Sequence, residues 1–195
     1  MKTSRQYVMR ARAEATEQTR LRIVRAAVDL CRDTMSFDFG LADVAAQAGV
    51  SVQTLLRHFG SREGLLAAGQ RLAEAEVTRE REARAGDVAA AVRVICGHYE
   101  RVGDWSLAML AQAGRDERAR EVTERGRSVH REWVTTVFAP QLAAAPGGPG
   151  ALTDLLVVAT DVYTWKLLRR DRKLSRAQVE DRLVRMINAI AGGGS

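Results

Sequence analysis

A run of side chains between residues 51 and 62 has the types and spacing that suit contacts with nucleic acid. Gln53 can pair with N6 and N7 of adenine, and Arg57 can reach O6 and N7 of guanine or a phosphate. Apolar groups can contact a thymine methyl, whereas hydroxyl and imidazole groups suit phosphate oxygens, which set register rather than sequence. The predicted DNA-contacting set is Ser51, Val52, Gln53, Thr54, Arg57, His58 and Arg62.

Two short helices joined by a tight turn must position these side chains. Apolar residues on one face predict a first helix over 41–48, and Gly49 supplies the left-handed conformation that often ends a helix. Ser51 is a favourable N-cap for a second helix, which runs through Phe59 and is closed by Gly60. The pattern is a helix-turn-helix, whose second helix lies in the major groove with its N-terminal residues nearest the bases.

The segment DVAAQAGVSVQTLLRHFGSREGLL, residues 43–66, resembles the N-terminal domain of TetR-family transcriptional regulators. With the helix before it, the resemblance covers about residues 21–66 and rests on the AGVS turn and its flanking residues. It implies a dimer that binds a palindromic operator in double-stranded DNA and a variable C-terminal domain that binds a small-molecule effector. Repression is the usual mode of this family, and a TetR-type activator is the open alternative.

Three positions differ from the common family pattern. Many members have tyrosine, whose hydroxyl contacts the DNA backbone, where this chain has Leu56, and many have a threonine cap where it has Gly40. Arg62 stands where the family has a phosphate-binding lysine, and it keeps the charge. The two missing hydroxyls leave a rival interpretation, a helical ligand-binding or scaffold protein with a vestigial helix-turn-helix.

The positive charge of the chain is concentrated at its N-terminus. Of 30 basic and 24 acidic side chains in 195 residues, residues 1–25 contain seven basic and two acidic ones. This excess predicts a basic arm over residues 1–15, ahead of a helix that begins near Thr16. The arm either reaches phosphates and the minor groove or is a solvated tail.

Composition bounds the class of protein. Hydrophobic residues make up 46% and charged residues 28% of the chain, which is typical of a globular protein. A membrane helix needs about 20 consecutive apolar residues, and no such run or signal peptide occurs, so we expect a cytoplasmic protein. Cys31 and Cys96 are predicted to be buried thiols. The three histidines are scattered, and we predict no catalytic residue, metal site or cofactor.

Helix-forming residues dominate, and proline occurs only at 140, 146 and 149. We therefore predict an all-α fold of about nine helices, with a DNA-binding domain over 1–66 and a helical bundle over 67–195. Gly103 and Asp104 predict a break between two helices of that bundle. A single helix over about 150–171 is expected to present Leu152, Leu155, Leu156, Ala159, Tyr163 and Leu167 as its apolar residues. It would be followed by a last helix over about 175–191.

The bundle carries the aromatic residues that suit an effector site. An apolar pocket with a few polar groups is the usual form of such a site, although each aromatic residue is also a normal component of a core. The predicted ligand-binding residues are Tyr99, Trp105, Met109, His130, Trp133, Phe138 and Tyr163. The family resemblance further implies a homodimer formed by the last two helices.

Overall fold

The computed structural model describes residues 2–146 and 148–192, with side chains from residue 7 onward. Within these ranges the chain is helical and has no strand, so the predicted all-α fold, a helix-turn-helix followed by a helical bundle, is confirmed. Ten helical segments are described: α1 Lys2–Thr34, α2 Leu41–Ala48, α3 Val52–Phe59, α4 Arg62–Glu80, α5 Val88–Gln112, α6 Glu117–Val137, α7 Ala139–Ala143, α8 Pro149–Ala159, α9 Val162–Lys166 and α10 Arg176–Gly192. A single π turn, Leu167–Asp171, continues α9.

The chain divides into two compact units, one up to Glu76 and the other from Val77 onward. The sequence placed this boundary after residue 66, at the end of the recognisable motif. The first unit extends further because α4 continues to supply apolar side chains to its core. That core consists of Ile23, Val24, Ala26, Ala27, Val44, Ala45, Ala48, Leu55, Leu65 and Ala68.

Helix α1 begins at Lys2, whereas the sequence analysis placed its start near Thr16. The first 34 residues contain no glycine or proline, and alanine, arginine and glutamate favour a helix. Local contacts support the early turns: Arg10 Nε lies 3.7 Å from Glu14 Oε1, and the Thr16 hydroxyl donates to the Arg12 carbonyl at 2.8 Å. The predicted arm is therefore part of a helix.

Helix α5 runs without interruption through Gly103, where a break was predicted. The reason for glycine at this position is a close approach rather than a turn. A Cβ atom on Gly103 would lie 2.5 Å from Cζ3 of Trp165, which is itself fully buried. The glycine thus makes room for an indole ring on the neighbouring helix.

The single helix predicted over 150–171 is interrupted at Thr160 and Asp161. The Thr160 hydroxyl donates to the Leu156 carbonyl at 2.7 Å, and the Asp161 carboxylate accepts from the Tyr163 N–H at 2.8 Å and caps α9. Such side-chain bonds compete with the helical ladder. Of the apolar residues predicted on this helix, Leu152, Leu156 and Ala159 are buried, whereas Leu155, Tyr163 and Leu167 are exposed.

The other helix boundaries of the bundle follow their cap signals. Asp87 and Asp116 each accept a hydrogen bond from the N–H three residues on, at 2.8 and 2.7 Å, and so begin α5 and α6. Before α10, the Ser175 N–H donates to Gln178 Oε1 at 2.9 Å and the Gln178 N–H donates to the Ser175 hydroxyl at 3.3 Å. These reciprocal bonds form the predicted capping box.

The core of the second unit is built from α5, α6, α8, α9 and α10. Its largest fully buried side chains are Ile95, Met109, Phe138, Leu156, Trp165, Leu183 and Ile187. Cys31 and Cys96 are buried free thiols, as predicted, and burial raises their pKa values to about 11 and about 12. None of the helices in the described ranges combines the length and apolarity needed to cross a membrane.

Candidate functional site

The turn between α2 and α3 has the geometry that its sequence predicted. Gly49 adopts φ 63° and ψ 43°, the left-handed conformation, and ends α2. The Val50 N–H donates to the Ala45 carbonyl at 2.9 Å, and the Gly49 N–H donates to the Ala46 carbonyl at 3.1 Å. These bonds satisfy carbonyls at the end of α2, so the chain can reverse direction within three residues.

Helix α3 is anchored at both its start and its inner face. The Ser51 hydroxyl accepts from the Thr54 N–H at 3.1 Å and lies 3.0 Å from the Thr54 hydroxyl, which makes Ser51 the N-cap. Leu55 is completely buried against α1 and α2. A capped and packed helix of this kind holds its outer face in a fixed orientation.

The outer face of α3 carries four side chains at spacings that place them together: Val52, Gln53, Leu56 and Arg57. Residues four apart lie on the same face of a helix, so Val52 stands beside Leu56 and Gln53 beside Arg57. Val52 is 37% and Leu56 38% exposed, which is high for apolar residues on so short a helix. This face, the α3 outer face, offers one amide, one guanidinium and two apolar groups to a partner.

Thr54 and His58 occupy the edge of the α3 outer face and are half-buried. The His58 ring lies beside Phe59, with ring centroids 6.1 Å apart. Thr54 shares its hydroxyl with Ser51, so both hydroxyls already take part in the cap. A phosphate contact by Ser51, Thr54 or His58 remains a prediction.

Arg62 is directed away from the α3 outer face. Its guanidinium donates to the carbonyls of Phe37 and Phe39, and Cζ lies 5.6 Å from the centroid of the Phe39 ring. The side chain therefore ties the start of α4 to the loop between α1 and α2. Contact with phosphate, predicted from the lysine that the family has at this position, would require Arg62 to leave these carbonyls.

We expect Arg62→Lys to lower the free energy of unfolding by about 1 kcal/mol, because a lysine ammonium cannot reproduce the forked donation to two carbonyls. Urea denaturation measures this decrease. Arg71→Lys, on an exposed position of the same helix, is the control and should change stability little. Full stability together with weaker DNA binding in Arg62→Lys would instead identify a phosphate contact.

Two contacts around α2 were not expected from the sequence. The Asp43 carboxylate accepts from the Gly40 N–H at 2.8 Å, so a carboxylate three residues into the helix compensates for a glycine cap without a side chain. Arg22 Nε donates to the Ala48 carbonyl at 2.8 Å, at the other end of α2. The Gly40–Asp43 spacing is visible in the sequence, whereas the Arg22 contact depends on how the helices pack.

A second group of functional candidates lies inside the bundle. The structure brings together Tyr99, His130, Trp133 and Phe138, all from the predicted ligand-binding set. The Tyr99 hydroxyl donates to the Thr160 carbonyl at 3.1 Å, and the Trp133 indole N–H donates to the Arg81 carbonyl at 2.8 Å. The rings of His130 and Trp133 stack with centroids 5.7 Å apart, and Phe138 meets Trp133 edge-on at 5.9 Å. The interior polar cluster, as we call it, consists of Arg81, Tyr99, His130, Trp133, Phe138 and Thr160.

Sequence reasoning missed two members of the interior polar cluster, Arg81 and Thr160. Arg81 belongs to the charged run RERE at 79–82, which is typical of a solvated surface, and only the fold buries it. Of the remaining predicted ligand-binding residues, Met109 is buried in α5 and Trp105 is half-buried. Tyr163 is 55% exposed and stands apart from the interior polar cluster.

The hydrogen bonds of the interior polar cluster fix which ring nitrogen of His130 carries the proton. Its Nε2 lies 3.1 Å from the Thr160 hydroxyl oxygen, whose own proton is donated to the Leu156 carbonyl. Nε2 is therefore the donor in the neutral ring, and Nδ1 carries the lone pair. Burial, followed by the positive charge of Arg81, lowers the pKa of His130 to about 4.

We expect this low pKa to make stability depend on pH between 4 and 6.5. In that range the unfolded chain protonates His130 and the folded chain does not, so the free energy of unfolding rises with pH. Between pH 7 and pH 5 the contribution of His130 falls by about 1–2 kcal/mol. His130→Gln, which keeps a donor near Thr160, should lose less stability over this interval in urea denaturation. Equal losses in both proteins would contradict the assignment.

The geometry of residues 23–68 defines a helix-turn-helix DNA-binding domain. These residues match the family model of bacterial regulatory proteins, tetR family. No curated protein matches the chain. The predicted resemblance over about residues 21–66 is confirmed.

Solved structures share the fold over most of the chain. A protein from Rhodococcus sp. described as a TetR-family transcriptional regulator aligns with a TM-score of 0.65 and 20% identity, covering 89% of this chain and 99% of its own. A transcriptional regulator from Rhodococcus sp. Rha1 aligns with a TM-score of 0.63 and 19% identity, covering 89% of this chain and 96% of its own. A transcriptional regulator from Pseudomonas aeruginosa PAO1 aligns with a TM-score of 0.64 and 16% identity, covering 91% of this chain and 92% of its own. The chain therefore shares its fold with these three proteins.

Proposed function

We propose that this chain is a one-component transcriptional regulator that reads a palindromic operator through the α3 outer face. The observation that carries the proposal is the composition of that face: an exposed amide and guanidinium beside two exposed apolar groups, on a capped helix within a TetR-family domain. Amide and guanidinium groups recognise adenine and guanine edges, and apolar groups contact thymine methyls. Leu56, in place of the common tyrosine, adds apolar contact area rather than a phosphate bond.

The proposed operator is palindromic because we infer that the protein acts as a homodimer. In the second unit, large apolar residues that remain exposed lie on α8, α9 with its π turn, and α10: Leu155, Val158, Tyr163, Leu167 and Met186. Exposed apolar side chains grouped on neighbouring elements favour an interface between copies of the chain. A two-fold dimer places two recognition helices on two half-sites about one helical turn of DNA apart, or a multiple of it.

We propose repression, relieved by a small molecule that binds within the bundle. The interior polar cluster supplies the mixture of aromatic surface and a few polar groups that such a site needs. Release follows from population shift: the effector binds more tightly to a conformation in which the two recognition helices no longer match the operator spacing.

Capture of genomic DNA fragments by the purified protein, followed by sequencing and gel shift, tests the proposal. We expect enrichment of a fragment with an inverted repeat and binding that weakens as salt increases. Sedimentation of the protein–DNA complex should give two chains per site. If no fragment binds in a salt-dependent manner, the chain is a helical binding protein whose helix-turn-helix is vestigial.

The helical N-terminal arm gives a separate prediction. Deleting residues 1–12 should flatten the dependence of log K on log[salt] by about 0.9 for each phosphate that the arm neutralises, because each neutralised phosphate releases counterions from DNA. A variant with Arg10 and Arg12 replaced by glutamine is the matched control for removal of charge without removal of the helix. An unchanged slope would show that the arm is a solvated extension.

A further inference from the structure

Arg81, the residue after α4, is buried to an unusual degree. It is 8% exposed, and arginine is rarely buried so deeply without a carboxylate partner. Its guanidinium lies over the Tyr99 ring, with Cζ 5.7 Å from the centroid. A cation–π contact of this kind supplies no lone-pair acceptor for the N–H groups of the guanidinium. Among the residues that the structure describes, no acceptor is within hydrogen-bonding distance of Nε.

The nearest carboxylate in sequence, that of Glu80, acts on Arg81 through its charge but forms no ion pair with it. Glu80 Oε2 is taken by the Arg101 guanidinium and lies 3.4 Å from His98 Nδ1. Over residues 7–146 and 148–192, Arg81 forms no ion pair with any acidic side chain. A buried positive charge without a direct ion-pair partner costs free energy, so this arrangement favours an anion that comes from outside the chain.

A second polar atom without a protein partner lies in the same interior polar cluster. His130 is 6% exposed, and its Nδ1, the lone-pair nitrogen, meets no donor from the described part of the chain. The ring is neutral because burial and the charge of Arg81 lower its pKa to about 4. The cluster therefore presents one positive charge and one hydrogen-bond acceptor, surrounded by the rings of Tyr99, Trp133 and Phe138.

We propose that the effector is a small organic acid whose carboxylate pairs with the N–H edges of Arg81 and whose apolar body packs on Trp133 and Phe138. A carboxylate accepts two parallel hydrogen bonds from a guanidinium, and its single negative charge balances the single positive charge of Arg81. A hydroxyl or amino group on the same molecule would donate to His130 Nδ1. This inference rests on the proposed effector-controlled function and names the chemical class of the effector.

Other ligand classes fit this site less well. A neutral ligand would leave the buried guanidinium without an ion-pair partner. A phosphate dianion would bring a second negative charge, and the neighbouring cation, Arg101, is already paired with Glu80. An organic cation would be repelled by Arg81. The charge balance thus selects a monoanion, and the aromatic surroundings select one with a sizeable apolar part.

Three acids of different shape test the proposal on the full-length protein: decanoate, phenylacetate and 2-naphthoate, each compared with its own primary amide. Thermal unfolding and tryptophan fluorescence measure binding. We expect at least one acid to bind saturably at low millimolar concentration while its amide does not. In Arg81→Met the affinity for that acid should fall about tenfold or more, because the variant cannot form the charge-assisted bidentate pair.

Three variants separate recognition from a structural role. Arg81→Met should fold, because it replaces an unpaired buried charge by an apolar chain of similar length. Arg81→Lys, which keeps the charge without the fork, should bind the acid with intermediate affinity. Arg127→Met, which removes an exposed arginine of α6, should bind it as the wild type does.

The inference is overturned if no acid binds saturably, if an amide binds as tightly as its acid, or if Arg81→Met keeps wild-type affinity. DNA capture with the same protein preparation distinguishes the two proposals. Salt-dependent DNA binding without acid binding removes the carboxylate inference alone. Acid binding without DNA binding removes the regulator proposal and leaves the carboxylate site.

Discussion

Arg57→Ala lowers the affinity of the protein for its operator by about one to two orders of magnitude, the effect expected when a guanidinium that binds DNA is removed. The Arg57 side chain is exposed on the α3 outer face and has no ion-pair partner among the described residues. It is therefore available to DNA without first breaking an internal contact. Gel shift against the captured operator measures the change.

The loss of affinity in Arg57→Ala takes one of two patterns, which show whether Arg57 contacts a base or a phosphate. If it contacts guanine, affinity falls for the operator and not for random DNA, and Gln53→Ala relaxes specificity at a neighbouring base pair. If it contacts phosphate, affinity falls for every sequence and the salt slope decreases by about 1. Arg127→Ala, an exposed arginine of α6, removes the same charge and serves as the control. Equal affinities for Arg57→Ala and wild type would contradict the role of the α3 outer face.

Gly103→Ala lowers the free energy of unfolding by about 2–3 kcal/mol. The decrease is expected even though alanine favours a helix interior by about 1 kcal/mol relative to glycine. The added methyl would lie 2.5, 2.8 and 3.1 Å from three atoms of the Trp165 ring. Because Trp165 is fully buried, the ring cannot move aside without displacing its neighbours. Urea denaturation measures the decrease.

Gly126→Ala is the matched control for this prediction. Gly126 also lies in a helix interior, but a Cβ atom there would meet nothing within 4 Å. Only the helix preference should then act, and the variant should be more stable by about 0.5–1 kcal/mol. If Gly103→Ala were stabilised to the same extent, Trp165 would be able to move aside without loss of packing between α5 and α9.

The helix-turn-helix could be predicted nearly residue by residue because its signals are local. A left-handed glycine, a serine cap and apolar positions four apart each act within one turn of chain, and the structure has Gly49, Ser51 and Leu55 in those roles. The caps of α5, α6 and α10 were predictable for the same reason. Contacts with distant parts of the chain seldom displace such local hydrogen bonds.

The features that sequence reasoning missed depend on contacts between distant residues. Gly103 looks like a helix breaker until Trp165 occupies the space beside it. Arg62 looks like a surface cation until the 37–39 loop presents two carbonyls to it. Arg81 sits in a run of alternating charges that is typical of solvent, and the packing of α5 and α6 around it determines its burial. These contacts join residues between 23 and 62 positions apart in the chain.

The Thr160 hydroxyl performs two tasks that are normally separate. By donating to the Leu156 carbonyl, it helps to end α8, and by accepting from His130 Nε2 it decides which ring nitrogen carries the proton. The shape of the backbone and the hydrogen-bond polarity of the interior are therefore set by one oxygen atom. A change that straightens α8 into α9 also frees the imidazole to exchange its tautomers, so a bend in the chain and a proton inside the bundle are linked.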